Sequence, residues 1–178
     1  ENNLSGFEFL SCIPGTVGGG IKMNAGCFGN EIKDILLSVQ VINKLGYVSS
    51  IPKTQIDFNY RTNNLSDDLI FLSASFKGKK KNSKIILETM NKFKIEKDNN
   101  QPTKIKTSGS TFKNPTDKTK KKVWELIRES VPLDISFGDA CISEKHSNFF
   151  VNKDNAKFSD MKKLINYVEK SVFKKTGI

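Results

Sequence analysis

The 178 residues can form one full core or two small domains, and 37% hydrophobic residues with 13 phenylalanines indicate a globular rather than a disordered protein. No apolar run is long enough to span a membrane, and no basic segment followed by an apolar core opens the sequence, so neither a membrane helix nor a signal peptide is predicted. The formal charge of +10 comes almost entirely from lysine, since Arg61 and Arg128 are the only arginines. Nucleic-acid-binding proteins more often use arginine, so we favour compositional drift and solubility and leave attraction of an anionic small molecule or a nucleic acid as the lesser alternative.

The cysteines and the single histidine restrict the possible chemistry further. Cys12, Cys27 and Cys141 are odd in number and widely spaced, and the sequence contains no C-x-x-C. This pattern indicates neither a zinc site nor a disulfide framework, and a reducing cytoplasm is the simplest setting. A histidine-based metal cluster or a Ser-His-Asp triad confined to this chain would depend on His146 alone. No metal site is predicted.

The stretch from Ile13 to Gly29 holds six of the 12 glycines. Pro14 suits the first turn of a helix, which Val17, Ile21 and Met23 would anchor. We therefore predict a tight turn that opens into a short helix, whose amide-rich N-terminus could hold a phosphate. The motifs G-x-x-x-x-G-K-[ST] and G-x-G-x-x-G are both absent, and a purely structural glycine turn is an equal alternative.

Three segments that follow are predicted to be strands. Residues Ile35 to Asn43 alternate loosely through Leu37, Val39 and Val41, which is typical of a half-buried strand. A hairpin turn at 45–47 then leads into a strand over 48–51. A further strand is predicted over 69–76, which reads LIFLSASF.

A helix is predicted after the basic turn at 78–84. Ile86, Met90 and Phe93 recur at helical spacing as far as about Lys97. Ser83 is the residue expected to cap the helix at its N-terminus.

The polar segment from Asp98 to Pro102 interrupts the helical pattern and is the predicted domain boundary. We assign 1–100 to a first domain and 101–178 to a second. The second domain would begin with a loop from Thr107 to Pro115.

Two helices and one strand are predicted in the remainder of the second domain. One helix lies near 120–130 and a strand covers 149–152. Ser159 or Asp160 is expected to cap a last helix, which stops at Gly177. The predicted buried faces consist of Val123, Trp124 and Ile127 in the first helix and of Met161, Leu164, Ile165, Val168 and Val172 in the second. Strands and helices without a regular βαβ period favour an α+β fold.

Two polar segments besides the glycine stretch could carry chemistry. Arg61, in the aromatic-rich segment 57–61, could clamp a carboxylate or phosphate or stabilise developing negative charge. A surface arginine at the end of a hairpin is the simpler alternative. The segment 108–115 places small hydroxyl residues, a lysine and an asparagine between a glycine and a proline, and one of its serines could donate a proton. An ordinary Ser/Gly loop is the alternative there. A further, weaker cluster covers 143–149, and its alternative is a polar turn before a buried strand.

Four motifs together identify a family. The sequences IPGTVGGGIKMNAGCFG, FNYR, GSTFKNP and SEKHSNFFVN, in this order, resemble the UDP-N-acetylenolpyruvoylglucosamine reductases. The resemblance extends over nearly the whole chain. It implies part of a PCMH-type FAD-binding domain, followed by the α+β substrate-binding domain of these reductases.

The resemblance also implies roles for individual residues. Arg61 and Ser110 match the catalytic arginine, which faces the substrate carboxylate, and the serine that protonates the substrate. Tyr60, Arg61, Lys113 and Asn114 match substrate-binding positions, and Lys145 and His146 match a motif of structural or substrate-proximal role. The positions that match the FAD loop are Ile13, Pro14, Gly15, Thr16, Val17, Gly18, Gly19, Gly20, Asn24, Ala25 and Gly26.

The activity implied is that of an NADPH-dependent flavoprotein oxidoreductase of peptidoglycan synthesis in the cytoplasm. Its substrate would be a UDP-sugar, UDP-N-acetylglucosamine enolpyruvate, and its product UDP-N-acetylmuramate. FAD would be the cofactor and NADPH the hydride donor. Neither a nucleic acid nor a membrane is an expected partner.

The family pattern includes a further N-terminal FAD domain and a late glutamate beyond the last helix. Neither is found in these 178 residues, so truncation at both ends is expected, and a separate chain could supply the missing N-terminal domain. Two alternatives remain. The chain could be a non-catalytic fragment of a split or broken reductase gene, or, with less support, a basic nucleic-acid-binding domain whose binding would depend steeply on salt.

Overall fold

The computed structural model describes residues 2–178 and divides the chain into two compact units. One unit ends at Lys97, and the other comprises Asp98–Ile178. Both combine helices with sheets, and all strand pairs in the described part of the chain are antiparallel. This arrangement confirms the α+β prediction. No helix among residues 2–178 is both long enough and apolar enough to cross a membrane.

The first unit contains short paired strands around one larger sheet. In chain order its elements are β1 (Leu4–Ser5), α1 (Val17–Lys22), β2 (Gly26–Cys27), β3 (Asn30–Glu31), α2 (Ile32–Ile35), β4 (Leu36–Ile42), β5 (Val48–Pro52), β6 (Phe58–Asn59), β7 (Thr62–Asn63), β8 (Ile70–Phe76), β9 (Lys79–Lys80) and α3 (Ser83–Asn100), which continues past the end of the unit. Single 3-10 turns occupy Glu8–Cys12 and Lys53–Gln55.

The core of the first unit is organised by a three-stranded sheet in the order β5-β4-β8. Val39 and Val41 of the central strand lie two residues apart, so they share one face of the sheet, and both are almost completely buried. The three strands predicted from the sequence are confirmed, with ends that differ by one residue. The buried apolar side chains of this core are Ile21, Ile32, Leu36, Val39, Val41, Ile56 and Leu65.

The predicted burial of Leu37 in β4 is wrong. Leu36 pairs with Phe76 and Ser38 pairs with Ser75, so β4 has one more residue than β8 between these pairs. Such a bulge shifts the alternation of side chains between the two faces. As a result Leu36 is 2% exposed, whereas Leu37 is 49% exposed.

Helix α3 is longer than predicted and begins with a different cap. Ser83 is its first residue, and the side-chain oxygen of Asn82 accepts a hydrogen bond from the backbone N–H of Lys84 at 2.9 Å. Asn82 therefore provides the cap that was predicted for Ser83. The ring of Phe93 stacks on Phe28 with centroids 4.5 Å apart, which attaches the helix to the first unit.

The second unit packs two helices against a four-stranded sheet in the order β10-β13-β12-β11. In chain order its elements are β10 (Lys106–Ser110), α4 (Val123–Ser130), β11 (Ser136–Phe137), β12 (Ala140–Ile142), β13 (Phe149–Asn152) and α5 (Phe158–Thr176). Its core consists of Val123, Leu126, Ile127, Val131, Ala140, Ile142, Phe150, Leu164, Val168 and Val172.

The two helices of this unit differ from the prediction in their first residues and in the exposure of Trp124. Helix α4 begins at Val123 rather than near residue 120, and Trp124, which was predicted to be buried, is 38% exposed. Helix α5 begins at Phe158, and the Asp160 carboxylate accepts from the backbone N–H of Lys157 at 3.0 Å, so Asp160 caps the helix from its third position. Gly177, at φ +74°, ends the helix as predicted.

Candidate functional site

The glycine stretch begins as an exposed turn before α1. Thr16 precedes the first helical residue, and its hydroxyl accepts from the backbone N–H of Gly19 at 3.1 Å. Thr16 is thus the N-cap, and Pro14 lies outside the first turn in which it was predicted. Of the three predicted anchors only Ile21 is buried, while Val17 and Met23 are exposed. Helix α1 has six residues and one of its first amides is already capped, so the predicted phosphate site at its N-terminus gains no support.

Two glycines of this stretch are required for different reasons. Gly15 has φ +137°, a conformation that L side chains rarely adopt, and it lies on the exposed part of the turn. Gly26 pairs with Glu31 in the β2–β3 hairpin, where an added Cβ would lie 2.4 Å from the Asn30 carbonyl oxygen. The stretch therefore combines an open turn with a tightly packed end.

Asn24 is the buried centre of this end of the glycine stretch. It is 0% exposed and has φ +40°, in the left-handed region that asparagine tolerates better than most residues. Its Nδ2 donates to Oε2 of Glu31 and to the carbonyl of Asn59, both at 3.1 Å. Its Oδ1 accepts from the backbone N–H of Lys33 at 3.1 Å. The side chain that was predicted to contact FAD thus bonds within the protein.

Arg61 lies in the turn of the β6–β7 hairpin and binds the same end of the glycine stretch. Its Nη1 donates to the carbonyl of Asn24 at 3.1 Å and its Nη2 to the carbonyl of Gly26 at 2.8 Å. The guanidinium carbon is 5.1 Å from the centroid of the Tyr60 ring, within the range of a cation–π contact. The structure therefore brings together Arg61, Tyr60 and the backbone of two residues predicted to belong to the FAD loop.

Cys27 is the residue after Gly26, and it lacks the properties of a nucleophile. Its thiol donates to the carbonyl of Phe9 at 3.3 Å. Burial, with a contribution from Cys12, raises the pKa of Cys27 to about 11. The thiol is therefore protonated at neutral pH, and the reactive thiolate is scarce.

In the second unit, Ser108 and Ser110 lie on an irregular strand rather than in the predicted loop. Strand β10 pairs with β13 through Lys106 and Thr107, and again at Ser110, with a bulge in between where Gly109 has φ +89°. The Thr107 hydroxyl donates to the carbonyl of Phe150 at 2.7 Å and accepts from the Gly109 N–H at 3.3 Å. Both serines are exposed on this bulge.

Asn148 fixes the backbone that follows Ser110, a role that its sequence motif did not predict. Its carbonyl accepts from Thr111 N–H at 2.8 Å, its Oδ1 from Phe112 N–H at 3.0 Å, and its Nδ2 donates to the carbonyl of Phe112 at 2.9 Å. Asn148 is 5% exposed. The only signal in the sequence was its place in SEKHSNFFVN, directly before the buried strand β13.

Asn114 and Lys113, two predicted substrate-binding residues, differ in their surroundings. The Asn114 side-chain oxygen accepts from the backbone N–H of Val123 at 3.0 Å, so it caps α4 from a distance in sequence. Lys113 is exposed beside a cavity of about 200 Å³ in the second unit, which also has Lys118 and Glu169 on its wall. The cavity is otherwise lined mainly by apolar side chains of α4 and α5.

His146 is half buried among aromatic rings. Its ring lies edge-on to Phe149 with centroids 4.8 Å apart and to Trp124 at 6.4 Å, and its Nδ1 accepts from Asn148 N–H at 3.3 Å. Burial lowers the pKa of His146, because the imidazolium loses hydration. His146 is therefore a neutral, packed residue at pH 7.

We expect the second unit to lose stability as the pH falls below the ordinary histidine pKa. The unfolded state takes up the proton first, near pH 6.5, while folded His146 resists it, so the free energy of unfolding falls from that pH towards the lower folded pKa. Urea unfolding between pH 7 and pH 5 measures this change, with fluorescence of Trp124, the only tryptophan, as the probe.

The control for this prediction is His146→Gln. It removes the only histidine of the chain while keeping a polar side chain, so its unfolding free energy should depend less on pH over the same range. Equal pH dependence in the parent chain and in His146→Gln would contradict the prediction.

The predicted site residues divide between the two units. Arg61, Tyr60 and the glycine stretch belong to the first unit, whereas Ser110, Lys113, Asn114 and His146 belong to the second. Within each unit, the motifs that are distant in sequence meet: the glycine stretch meets Arg61, and the Ser110 segment meets Asn148.

Comparison with known proteins gives one consistent result. The family model described as UDP-N-acetylenolpyruvoylglucosamine reductase, C-terminal domain, matches residues 101–178. The curated reductase of that name from Pelagibacter ubique (strain HTCC1062) is 65% identical over 178 residues, which are 100% of this chain and 59% of the relative. The corresponding protein of Rickettsia bellii (strain RML369-C) is 45% identical over 177 residues, which are 99% of this chain and 58% of that protein.

A solved structure extends the agreement to the fold. The crystal structure of UDP-N-acetylenolpyruvylglucosamine reductase from Thermus caldophilus matches with a TM-score of 0.83 and 33% sequence identity, over 94% of this chain and 61% of that one. The chain spans about three fifths of the length of these relatives. Over the length that it shares with them, the chain is similar in sequence and in fold to the UDP-N-acetylenolpyruvoylglucosamine reductases, and its residues 101–178 match the C-terminal domain of that family.

Proposed function

We propose that this chain contributes to the reduction of UDP-N-acetylglucosamine enolpyruvate to UDP-N-acetylmuramate in peptidoglycan synthesis, with FAD as cofactor and NADPH as hydride donor. The observation that carries the proposal is the pair of hydrogen bonds from Arg61 to the carbonyls of Asn24 and Gly26. They join two of the four family motifs at one place. The names of the relatives supply the substrate and the type of reaction.

The glycine stretch fits a flat cofactor such as FAD. The turn from Pro14 to Val17 is exposed, and a Cβ added at Gly15 would meet no atom within 4 Å. Because Gly15 has no side chain, its exposed backbone allows close approach of a ligand. The exposed residues 14–17 and Gly19 would hold the cofactor. The Asn24 side chain would not contact it, because its hydrogen bonds are all made within the protein. The chemistry that FAD supplies when bound is hydride transfer between NADPH and the enolpyruvyl double bond.

Arg61 would act on the charge of the substrate. Its guanidinium is held by two backbone carbonyls and flanked by Tyr60, so its position is set before substrate arrives. A fixed cation beside the substrate carboxylate stabilises the negative charge that grows when the adjacent double bond accepts a hydride. Lys113 would attract an anionic substrate by its positive charge. Asn114 would hold the segment that carries Lys113, through its hydrogen bond with Val123 N–H.

Ser110 would complete the reduction by giving a proton. Hydride adds to one carbon of the double bond, and the other carbon, which bears the developing charge, takes the hydroxyl proton. The reduced product then carries one hydride and one proton, and the serine recovers its proton from solvent. The exposed position of Ser110 on a backbone fixed by Asn148 suits this role.

The test uses a chimera in which this chain replaces the matching 59% of the Pelagibacter ubique relative. The purified chimera is expected to retain FAD, seen by absorbance, and to oxidise NADPH only when the enolpyruvyl substrate is present, with UDP-N-acetylmuramate identified by mass spectrometry. The unaltered relative is the control. A folded chimera that lacks both flavin and activity, beside an active relative, would contradict the proposal.

A further inference from the structure

Asn24 is hydrogen-bonded to the β6–β7 hairpin through both its backbone and its side chain. Its backbone carbonyl receives Nη1 of Arg61, and its side chain donates to the carbonyl of Asn59, two residues before Arg61 in the same hairpin. Asn24 therefore holds the β6–β7 hairpin at two points. The second carbonyl that receives Arg61, that of Gly26, lies only two residues further along the glycine stretch.

The side chain of Asn24 also fixes its own backbone. Its three bonds reach Glu31 in β3, Lys33 in α2 and Asn59 in β6. Only a carboxamide satisfies all three partners, because Glu31 and Asn59 offer acceptors, whereas Lys33 offers an N–H. The side chain is completely buried, so no water replaces these bonds. They hold Asn24 at φ +40°, the conformation in which its carbonyl faces Arg61.

We infer that Asn24 is a positioning residue: its carboxamide sets the two carbonyls that orient the guanidinium of Arg61. The catalytic importance of this inference rests on the proposed function, whereas the two hydrogen bonds from Arg61 to the carbonyls lie within the first unit. Without the carboxamide, residues 24–26 lose their anchor to Glu31, Lys33 and Asn59. The Arg61 cation then samples several orientations instead of one.

The experiment observes Arg61 directly by nuclear magnetic resonance of the arginine side chains. The chain has only two arginines, so Arg128→Lys identifies the Arg61 signals without ambiguity. In the parent chain, the bonds to two carbonyls slow rotation about the Cζ–Nη bonds, and the Nη signals of Arg61 are expected to be resolved. Asn24→Gly tolerates the positive φ but has no carboxamide. In this variant the Cζ–Nη bonds of Arg61 should rotate faster by roughly tenfold or more, because a tenfold change in rate corresponds to the loss of about one charge-assisted hydrogen bond.

A matched control comes from the same hairpin. Asn63 also makes three side-chain hydrogen bonds, donating to the carbonyls of Ile21 and Lys22 and accepting from Leu65 N–H, all at 3.0 Å. None of these bonds touches the carbonyls that receive Arg61. Asn63→Gly is therefore expected to lower stability and to leave the Arg61 signals resolved.

If Asn24→Gly does not fold, Asn24→Asp provides the second variant. It keeps an oxygen for Lys33 N–H but loses both donors and faces the Glu31 carboxylate, so averaged Arg61 signals are again expected. Resolved Arg61 signals in a folded Asn24 variant, or equal averaging in Asn63→Gly, would overturn the inference. The measurement needs neither flavin nor turnover, so an inactive chimera would refute the proposed function and leave this result standing.

Discussion

In the chimera, Arg61→Lys is expected to lower kcat by about 10²- to 10³-fold, the loss typical of removing one donor that stabilises charge in a transition state. Lysine keeps the positive charge, but it has one nitrogen where the guanidinium of Arg61 reaches two carbonyls with Nη1 and Nη2. The cation therefore loses its fixed direction, while its attraction for the substrate carboxylate persists. Steady-state kinetics should show a larger change in kcat than in KM.

The second arginine of the chain is the control for this prediction. Arg128 lies exposed on α4, so Arg128→Lys should leave kcat and KM close to those of the unaltered chimera. FAD content must be measured in both variants, because a loosened Arg61 also releases the glycine stretch. A fully active Arg61→Lys chimera with normal FAD content would remove Arg61 from the proposed mechanism.

The sequence predicted the elements whose signal is local. Strands β4, β5 and β8 and the end of α5 at Gly177 follow from alternation, turn residues and a glycine stop, all of which lie within a few residues of one another. The errors arose where a distant partner decides the local structure. Leu37 is exposed because β8 has one residue fewer than β4 at that place, and nothing in the residues around Leu37 reports this.

Strand β10 shows the same limit. Residues 107–110 were predicted to start a polar loop, because serine, threonine and glycine are common in loops. They form a strand since β13 offers them a partner about forty positions later, and Thr107 bonds to the Phe150 carbonyl across 43 residues. Pairing with a well-defined strand overrode the weak local preference of these residues.

The motifs in the sequence named the members of the candidate site, but they did not predict the hydrogen bonds among its residues. Arg61, Ser110 and the glycine stretch could be named because each matches a residue or segment of the family motifs at the same position. The motifs did not indicate that Asn24 and Arg61 are bonded across 37 positions, or that Asn148 clamps Phe112 across 36. Both asparagines are buried, and their neighbours in sequence show no pattern that distinguishes a buried carboxamide from an exposed one.

The last prediction separates two serines that are neighbours on the bulge of β10. Ser110→Ala in the chimera is expected to lower kcat by about 10²- to 10⁴-fold, the usual contribution of a general acid, because the carbon that bears the developing charge loses its proton donor. Ser108→Ala is the matched control: Ser108 is also exposed, on the other side of Gly109, and its replacement should change kcat little. Both variants should keep the FAD content of the unaltered chimera, since neither serine belongs to the glycine stretch. The measurement is kcat from UDP-N-acetylmuramate formation, followed by mass spectrometry at saturating substrate. A Ser110→Ala chimera with unchanged kcat would exclude Ser110 as the donor, and a slow Ser108→Ala beside it would move that role by two residues.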